Sequence, residues 1–364
     1  MKPLVLLNKN LNIFALTIIF VFVQTICPCA LHSQTHVMLL QKGMSYVAWD
    51  KNQFSTEYSD KSLEKLVSIG VEYISICPTH YQESYNSTEI KRTDKTPSEK
   101  SLIHVIKKAK TLGLEILLKP HIDLIDKFDG TYWRADICFA AEEDWKNWFK
   151  CYKRMLLAYA SLCEKYDVEL FCIGTELSAT TAKNEYWLDV ITEIRKIYSG
   201  KLVYAANWDN YQNVQFWDRL DYIGIDAYFP LTYTPMPSIE NIKKGWEKWK
   251  YEIKLWQVKV NKQIIFTEIG YPSSSHAPHA PWQNATSGNA DTLIQAKCYE
   301  AFFDVIWKEP WLAGVYWWKW DTNTFAGGNN NRQFTPQNKP AQRIIEANYK
   351  NYKKESTYAC TSRN

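Results

Sequence analysis

The 364-residue chain has no glycine-rich G-x-G-x-x-G turn after its first apolar run, which removes the main sign of a dinucleotide-binding fold. It has no run of lysine and arginine long enough to track phosphates, and its net charge of +4 is too small to imply a polyanion partner, so nucleic acid is disfavoured. No Pro- or Ser-rich linker divides it, so the sequence reads as one domain from about Gln41 to Tyr349, followed by a polar tail over residues 350–364. Its nine cysteines show neither metal-site spacing nor a disulfide framework. Two of them, Cys27 and Cys29, fall in an N-terminal leader. The other seven, Cys77, Cys138, Cys151, Cys163, Cys172, Cys298 and Cys360, are scattered and odd in number, and read mostly as small buried hydrophobes with room for one bridge.

Long hydrophobic runs are also missing beyond the leader. Lys2 and Lys9 precede an apolar stretch from Leu11 to Val23, about 13 residues and short for a membrane span, and Cys27-Pro-Cys-Ala30 follows it. That order of charge, apolar core and small residues is expected of a secretory signal over residues 1–33, cleaved between about Ala30 and Gln34. An uncleaved anchor, or a lipid on Cys27 or Cys29, are the alternatives. The expected location is exported: secreted, periplasmic or surface-anchored.

Aromatic side chains are in excess. They make up 15% of the chain, with 16 Trp and 23 Tyr, more than a core requires, and flat rings with one polar edge suit surfaces that grip sugar rings or bases. Eight short apolar runs recur: Gly43 to Trp49, Val71 to Pro78, Leu114 to Asp123, Val168 to Leu177, Lys201 to Trp208, Leu220 to Phe229, Gln263 to Tyr271 and Trp311 to Trp320. The intervals carry helical spacing, as in SLEKLVSIG ending on Gly70, SLIHVIKKAKTLG ending on Gly113 and the long segment from Trp145 to Tyr166. Further helices are expected at Glu185 to Tyr198, Ile239 to Val260 and Asp291 to Lys308, whereas Asp209 to Arg219 is too short for a full one. Eight alternating units in about 300 residues predict a closed α/β (β/α)8 TIM barrel.

In that architecture the reacting groups stand at the C-terminal ends of the strands. Those positions hold Trp49; His80 to Gln82; Lys119, His121 and Asp123; Thr175 and Glu176; Asn207 and Trp208; Asp226 and Tyr228; Glu268; and Trp317, Trp318 and Trp320. Glu176 ends the fourth strand and Glu268 the seventh, facing one another across the mouth. Two acids so placed suit glycosidic bond hydrolysis, one carboxyl protonating the leaving oxygen and the other attacking or stabilising the anomeric carbon. Strand alternation puts Ile264, Phe266 and Glu268 on one face, and Trp318 with Trp320 on the face that would floor sugar subsites, leaving Trp317 to pack toward helices unless a bulge shifts the parity.

FCIGTEL, FTEIGY, YWWKW and LLKPHID resemble the clan-A (β/α)8 retaining glycoside hydrolases, and most of all glycoside hydrolase family 113, whose characterised members are endo-β-1,4-mannanases. The resemblance implies Glu176 as acid/base and Glu268 as nucleophile. Thr175 stands where many clan-A families carry the Asn that reads the sugar 2-hydroxyl, and Asn207 is a candidate for that task. Arg134 in TYWRADI resembles the family's Trp-Arg pair, although Ala135 and Asp136 depart from its Gly and Glu. Tyr228 is placed either to hold a Glu268 oxygen or to pack at the rim. Trp49, His121 and Asp123 complete the sugar-facing set; a metal at His121 and Asp123 would need ligands that no spacing supplies, so hydrogen bonds to hydroxyls are preferred. The loop Ser273 to Asp291 is either a cleft wall or a surface excursion.

The expected reaction is double displacement on a β-1,4-linked polysaccharide or oligosaccharide, mannan first, with no cofactor, metal or protein partner implied. Other β-glycans such as β-glucan or xylan are alternatives. A non-catalytic carbohydrate-binding barrel is a third reading, against which stands the repulsion between two close acids that mere binding does not need.

Overall fold

A computed structural model describes residues 40–352, so the leader, Cys360 and all but the first three residues of the tail lie outside the described part. Eight strands form the barrel: β1 (Gln41–Val47), β2 (Tyr73–Ile76), β3 (Glu115–Leu118), β4 (Leu170–Thr175), β5 (Lys201–Asn207), β6 (Tyr222–Asp226), β7 (Ile264–Ile269) and β8 (Leu312–Asp321). Every neighbouring pair is parallel, and β1 closes the ring by pairing with both β2 and β8.

Helices α1 (Glu57–Ser68), α2 (Glu99–Thr111), α3 (Glu142–Lys165), α4 (Asn184–Arg195), α5 (Ile239–Val260), α6 (Thr292–Val305) and α7 (Pro340–Asn351) alternate with the strands. Their local chemistry is plain in α2. Leu102, Val105, Ile106 and Ala109 recur at three and four spacing and are buried, the Ser98 hydroxyl accepts from the Ser101 N–H at its start, and Gly113 at φ 75° releases the chain after its end. Between β5 and β6 there are only two 3-10 turns, Tyr211–Asn213 and Trp217–Arg219. The last helix, α7, is one that helical spacing in the sequence does not predict. It runs past Tyr349 to Asn351, and the Tyr349 hydroxyl donates to the Gly43 carbonyl at 3.0 Å.

Two cores result. Leu117, Leu170, Cys172, Val203, Ala205, Ile265, Ala313 and Tyr316 fill the barrel, and a larger aromatic-rich layer lies between strands and helices. Tyr316 fits inside because residue 43 has no side chain: a Cβ on Gly43 would meet the Tyr316 ring at 2.6 Å. All six cysteines of the described part are free; Cys77, Cys163, Cys172 and Cys298 are buried, whereas Cys138 is exposed.

Three irregularities position the mouth. Pro78 and Pro120, which cannot donate to a ladder, separate β2 and β3 from a small parallel sheet of Thr79–Gln82 and His121–Leu124 that carries His121 and Asp123 above the barrel. In β7 the pairing with β6 goes from Ile225 and Phe266 to Asp226 and Glu268, one extra residue on β7. In β8 the pairing with β1 goes from Met44 and Trp317 to Tyr46 and Trp320, again one extra residue. Each insertion inverts side-chain parity beyond it.

Candidate active site

These insertions correct two expectations. Phe266 does not share a face with Glu268: it packs outward, stacked on Trp246 of α5 and against Phe302 of α6, while Glu268 turns into the mouth. Trp320 does not floor a sugar subsite either. It is fully buried behind the wall, its indole N–H donating to the Ser62 hydroxyl of α1 at 2.9 Å. Trp318 does remain at the mouth, stacked on His121 at 5.9 Å, and Trp317 packs on Tyr299 of α6 as parity predicted. Past β7, the chain can run under the Trp318 carbonyl only because residue 270 is glycine; a Cβ there would lie 2.4 Å from that oxygen.

The two glutamates are held very differently. Glu268 accepts two hydrogen bonds, from Lys119 Nζ at 2.6 Å on Oε1 and from the Tyr228 hydroxyl at 2.7 Å on Oε2, while His121 Nε2 stands 3.7 Å from Oε1, beyond hydrogen-bond reach. Lys119 is fully buried and also donates to both Asp226 oxygens, at 3.1 and 3.3 Å, while Thr267 Oγ1 donates to Asp226 Oδ1 at 2.8 Å. Burial alone would lower the Lys119 pKa, but Asp226 and Glu268 reverse the shift upward, so it stays an ammonium. Burial first, and the Glu268 charge second, raise the Asp226 carboxyl above its usual range. The Tyr228 hydroxyl, pushed up by burial and by Glu268, stays a neutral donor.

Glu176 has one cationic partner, Arg134, whose Nη1 donates to its Oε2 at 2.9 Å. That guanidinium is fixed by Asp123 through Nη2 and by the Ile122 carbonyl through Nε, both at 2.9 Å. Burial, then the Asp226 charge, push the Glu176 carboxyl up to about 8 against the pull of Arg134. Its backbone sits at φ 55°, in the left-handed region that non-glycine residues enter at a cost of order 1–3 kcal/mol. Its own N–H donates to the Ala205 carbonyl at 2.8 Å, and the next N–H, of Leu177, donates to the Tyr204 hydroxyl at 3.1 Å; these hold the turn in place.

His121 and Asp123 therefore do not act together: Asp123 accepts from Arg134, and His121 stacks on Trp318. Burial, followed by Arg134 and Lys119, drives the His121 pKa well below its usual 6.5, so the ring is neutral, and its buried Nε2 has no hydrogen-bond partner. Asn207 donates to the Ser178 hydroxyl at 3.0 Å beside the strand that carries Glu176, and Trp49, part exposed, lies under the Lys319 ammonium at 3.7 Å. The loop after β7 folds against its neighbours: Leu231 N–H donates to the Pro278 carbonyl and Trp282 stacks on Trp208 at 5.6 Å. The sequence places Lys119 and Asp226 at strand ends but assigns them no role. The signal was there in a lysine set within the apolar LLKPHI, a place where a charge needs a buried partner.

The sequence pattern defining Glycoside Hydrolase Family 113 matches residues 44–339. A family 113 β-1,4-mannanase, solved as a complex, is 28% identical with a TM-score of 0.78, covering 86% of this chain and 100% of its own. The family 113 β-mannanase of Alicyclobacillus acidocaldarius, solved with ManMIm, is 25% identical with a TM-score of 0.77, covering 85% and 97%. A β-D-glucuronidase of Dictyoglomus thermophilum, at 12% identity and a TM-score of 0.60 over 87% of this chain and 51% of its own, shares the fold alone. No curated protein matches the chain.

Proposed function

The chain belongs to glycoside hydrolase family 113, and from that premise we propose that it is an exported retaining β-1,4-mannanase with Glu268 as nucleophile and Glu176 as acid/base. The observation that carries the reading is the asymmetry of the two glutamates: one is gripped by a buried ammonium and a tyrosine hydroxyl, the other is raised to about 8. A retaining enzyme needs one carboxylate and one carboxylic acid at neutral pH.

In the first step a Glu268 carboxylate oxygen bonds to the anomeric carbon, the bond from that carbon to the leaving oxygen breaks, and the Glu176 proton passes to the leaving oxygen. Esterification removes the Glu268 charge, one of those that raise Glu176. Glu176, now a carboxylate, takes a proton from water, whose oxygen attacks the anomeric carbon and frees Glu268. His121, with an unpartnered buried nitrogen beside the nucleophile, and Trp318, stacked on it, are the proposed contacts of the sugar at the cleavage point. Arg134, Asp123, Asn207 and Trp49 are proposed for the surrounding subsites. The leader supports export, which an enzyme of insoluble or polymeric mannan requires.

Glu176→Ala and Glu268→Ala should each lose most hydrolysis of mannooligosaccharides. Azide should rescue Glu176→Ala with a β-glycosyl azide and Glu268→Ala with an α-glycosyl azide. Wild-type rates in either variant would sink the assignment. Turnover on β-glucan or xylan in preference to mannan would move the substrate, and binding without turnover would leave a lectin-like barrel.

A further inference from the structure

Lys119 touches two carboxylates, and only one of them is needed to attack a sugar. The resting cluster holds one ammonium against Asp226 and Glu268, all three essentially excluded from water. Cys77 and Cys172 also border Lys119, and His121 and Glu176 feel its charge; of these only Glu176 gains a negative charge during the cycle.

When Glu268 becomes an ester its charge is gone, while Lys119 stays where it was. Without another anion that ammonium would be a buried, unpaired cation, a state that proteins avoid at the cost of several kcal/mol per ion. It would have to shed its proton, leaving an amine lone pair against the ester of the intermediate. Asp226 is the group that prevents this: it lies within 3.3 Å of Lys119 through both oxygens and is anchored by Thr267, the residue preceding the nucleophile.

We propose that Asp226 is a positioning counter-ion for the covalent intermediate, keeping Lys119 charged and in place while Glu268 is esterified. The cluster thereby passes from two anions sharing one cation to a one-to-one pair, and back, with no proton moving on Lys119. The single-residue insertion in β7 serves this directly, since it brings Thr267 onto Asp226 and Glu268 onto Lys119. The proposal rests on Glu268 being the nucleophile.

The test uses a dinitrophenyl β-mannooligosaccharide, whose leaving group needs no proton from Glu176, with pre-steady-state release reporting the first step. Asp226→Asn should slow that step by about 100-fold or more at neutral pH. Its rate should then rise with pH and go on rising above 8, because esterification now expels the Lys119 proton to solvent; the wild type should level off there, once Asp226, raised to about 7, is ionised. In a Lys119→Met background, where Asp226 and Glu268 would be adjacent anions, the same Asp226→Asn change should increase activity instead of reducing it.

A flat pH profile in folded Asp226→Asn overturns the proposal by itself, whatever the fate of the lysine variant. Additive losses in the two backgrounds overturn it as well, and assign Asp226 to scaffolding. Glu268→Ala, assayed alongside, separates the two readings. If it keeps hydrolysing, the nucleophile assignment falls; if it is dead while Asp226→Asn behaves as a structural lesion, only the counter-ion role falls.

Discussion

At the scale of the residue, the proposed acid/base Glu176 would set the pH behaviour. As an acid raised to about 8, it must be protonated to donate, so kcat/KM on unactivated mannooligosaccharides should fall as pH rises through that value. The residual hydrolysis of the same unactivated mannooligosaccharides by Glu176→Gln should lack this alkaline limb; a limb that persists would assign it to another group. Linkage gives the sign for stability. The native state holds the Glu176 proton above the usual carboxyl value of 4.5, so between there and about 8 the unfolded state binds fewer protons, and this residue makes stability fall as pH rises. A thermal melt of Glu176→Gln should therefore be flatter across that window than the wild type. The glutamates were legible in the sequence because a charge ending an apolar strand is conspicuous. Their unlike environments were not, since these depend on Lys119, Asp226 and Arg134 arriving from other strands and loops.

At the scale of the element, β8 decides which indole reaches the mouth. Strict alternation would give Trp318 and Trp320 the same face, and the extra residue opposite Met44 and Tyr46 sends Trp320 into α1. Trp320→Ala should cost about 3–5 kcal/mol of stability, as large buried aromatics do, with KM little changed in what remains folded. Trp318→Ala should raise KM with a small shift in melting temperature. The reverse pattern, read from melts and Michaelis plots, would mean the parity is wrong. Apolar runs and helical spacing made nearly every element visible in the sequence, including the missing helix between β5 and β6. Bulges were not visible, because an inserted residue in an all-apolar strand leaves no mark in composition; Phe266 and Trp320 were misplaced for that one reason. The last helix was passed over because Ala341, Ile345 and Tyr349 are few buried positions among many polar ones.

At the scale of the whole molecule, the barrel was legible because eight strands, with helices in all but one of the intervals between them, leave few other closures in this length. Its charge bears on the substrate. A net +4 spread over 364 residues gives little steering, and a mannan is neutral, so kcat/KM should change less than about twofold between low and high salt. A steep salt dependence would point to an acidic glycan instead. The contact between the first strand and the last helix, where Lys42 Nζ donates to the Tyr349 carbonyl and the Tyr349 hydroxyl to the Gly43 carbonyl, has a topological meaning. It sets the two ends of the described fold side by side, so the architecture is a cycle that the chain happens to enter at β1. The turn at Gly113, exposed and at the end of the barrel away from the mouth, would serve equally well as the point of entry, with the catalytic strands keeping their neighbours while their order along the polymer is rewritten.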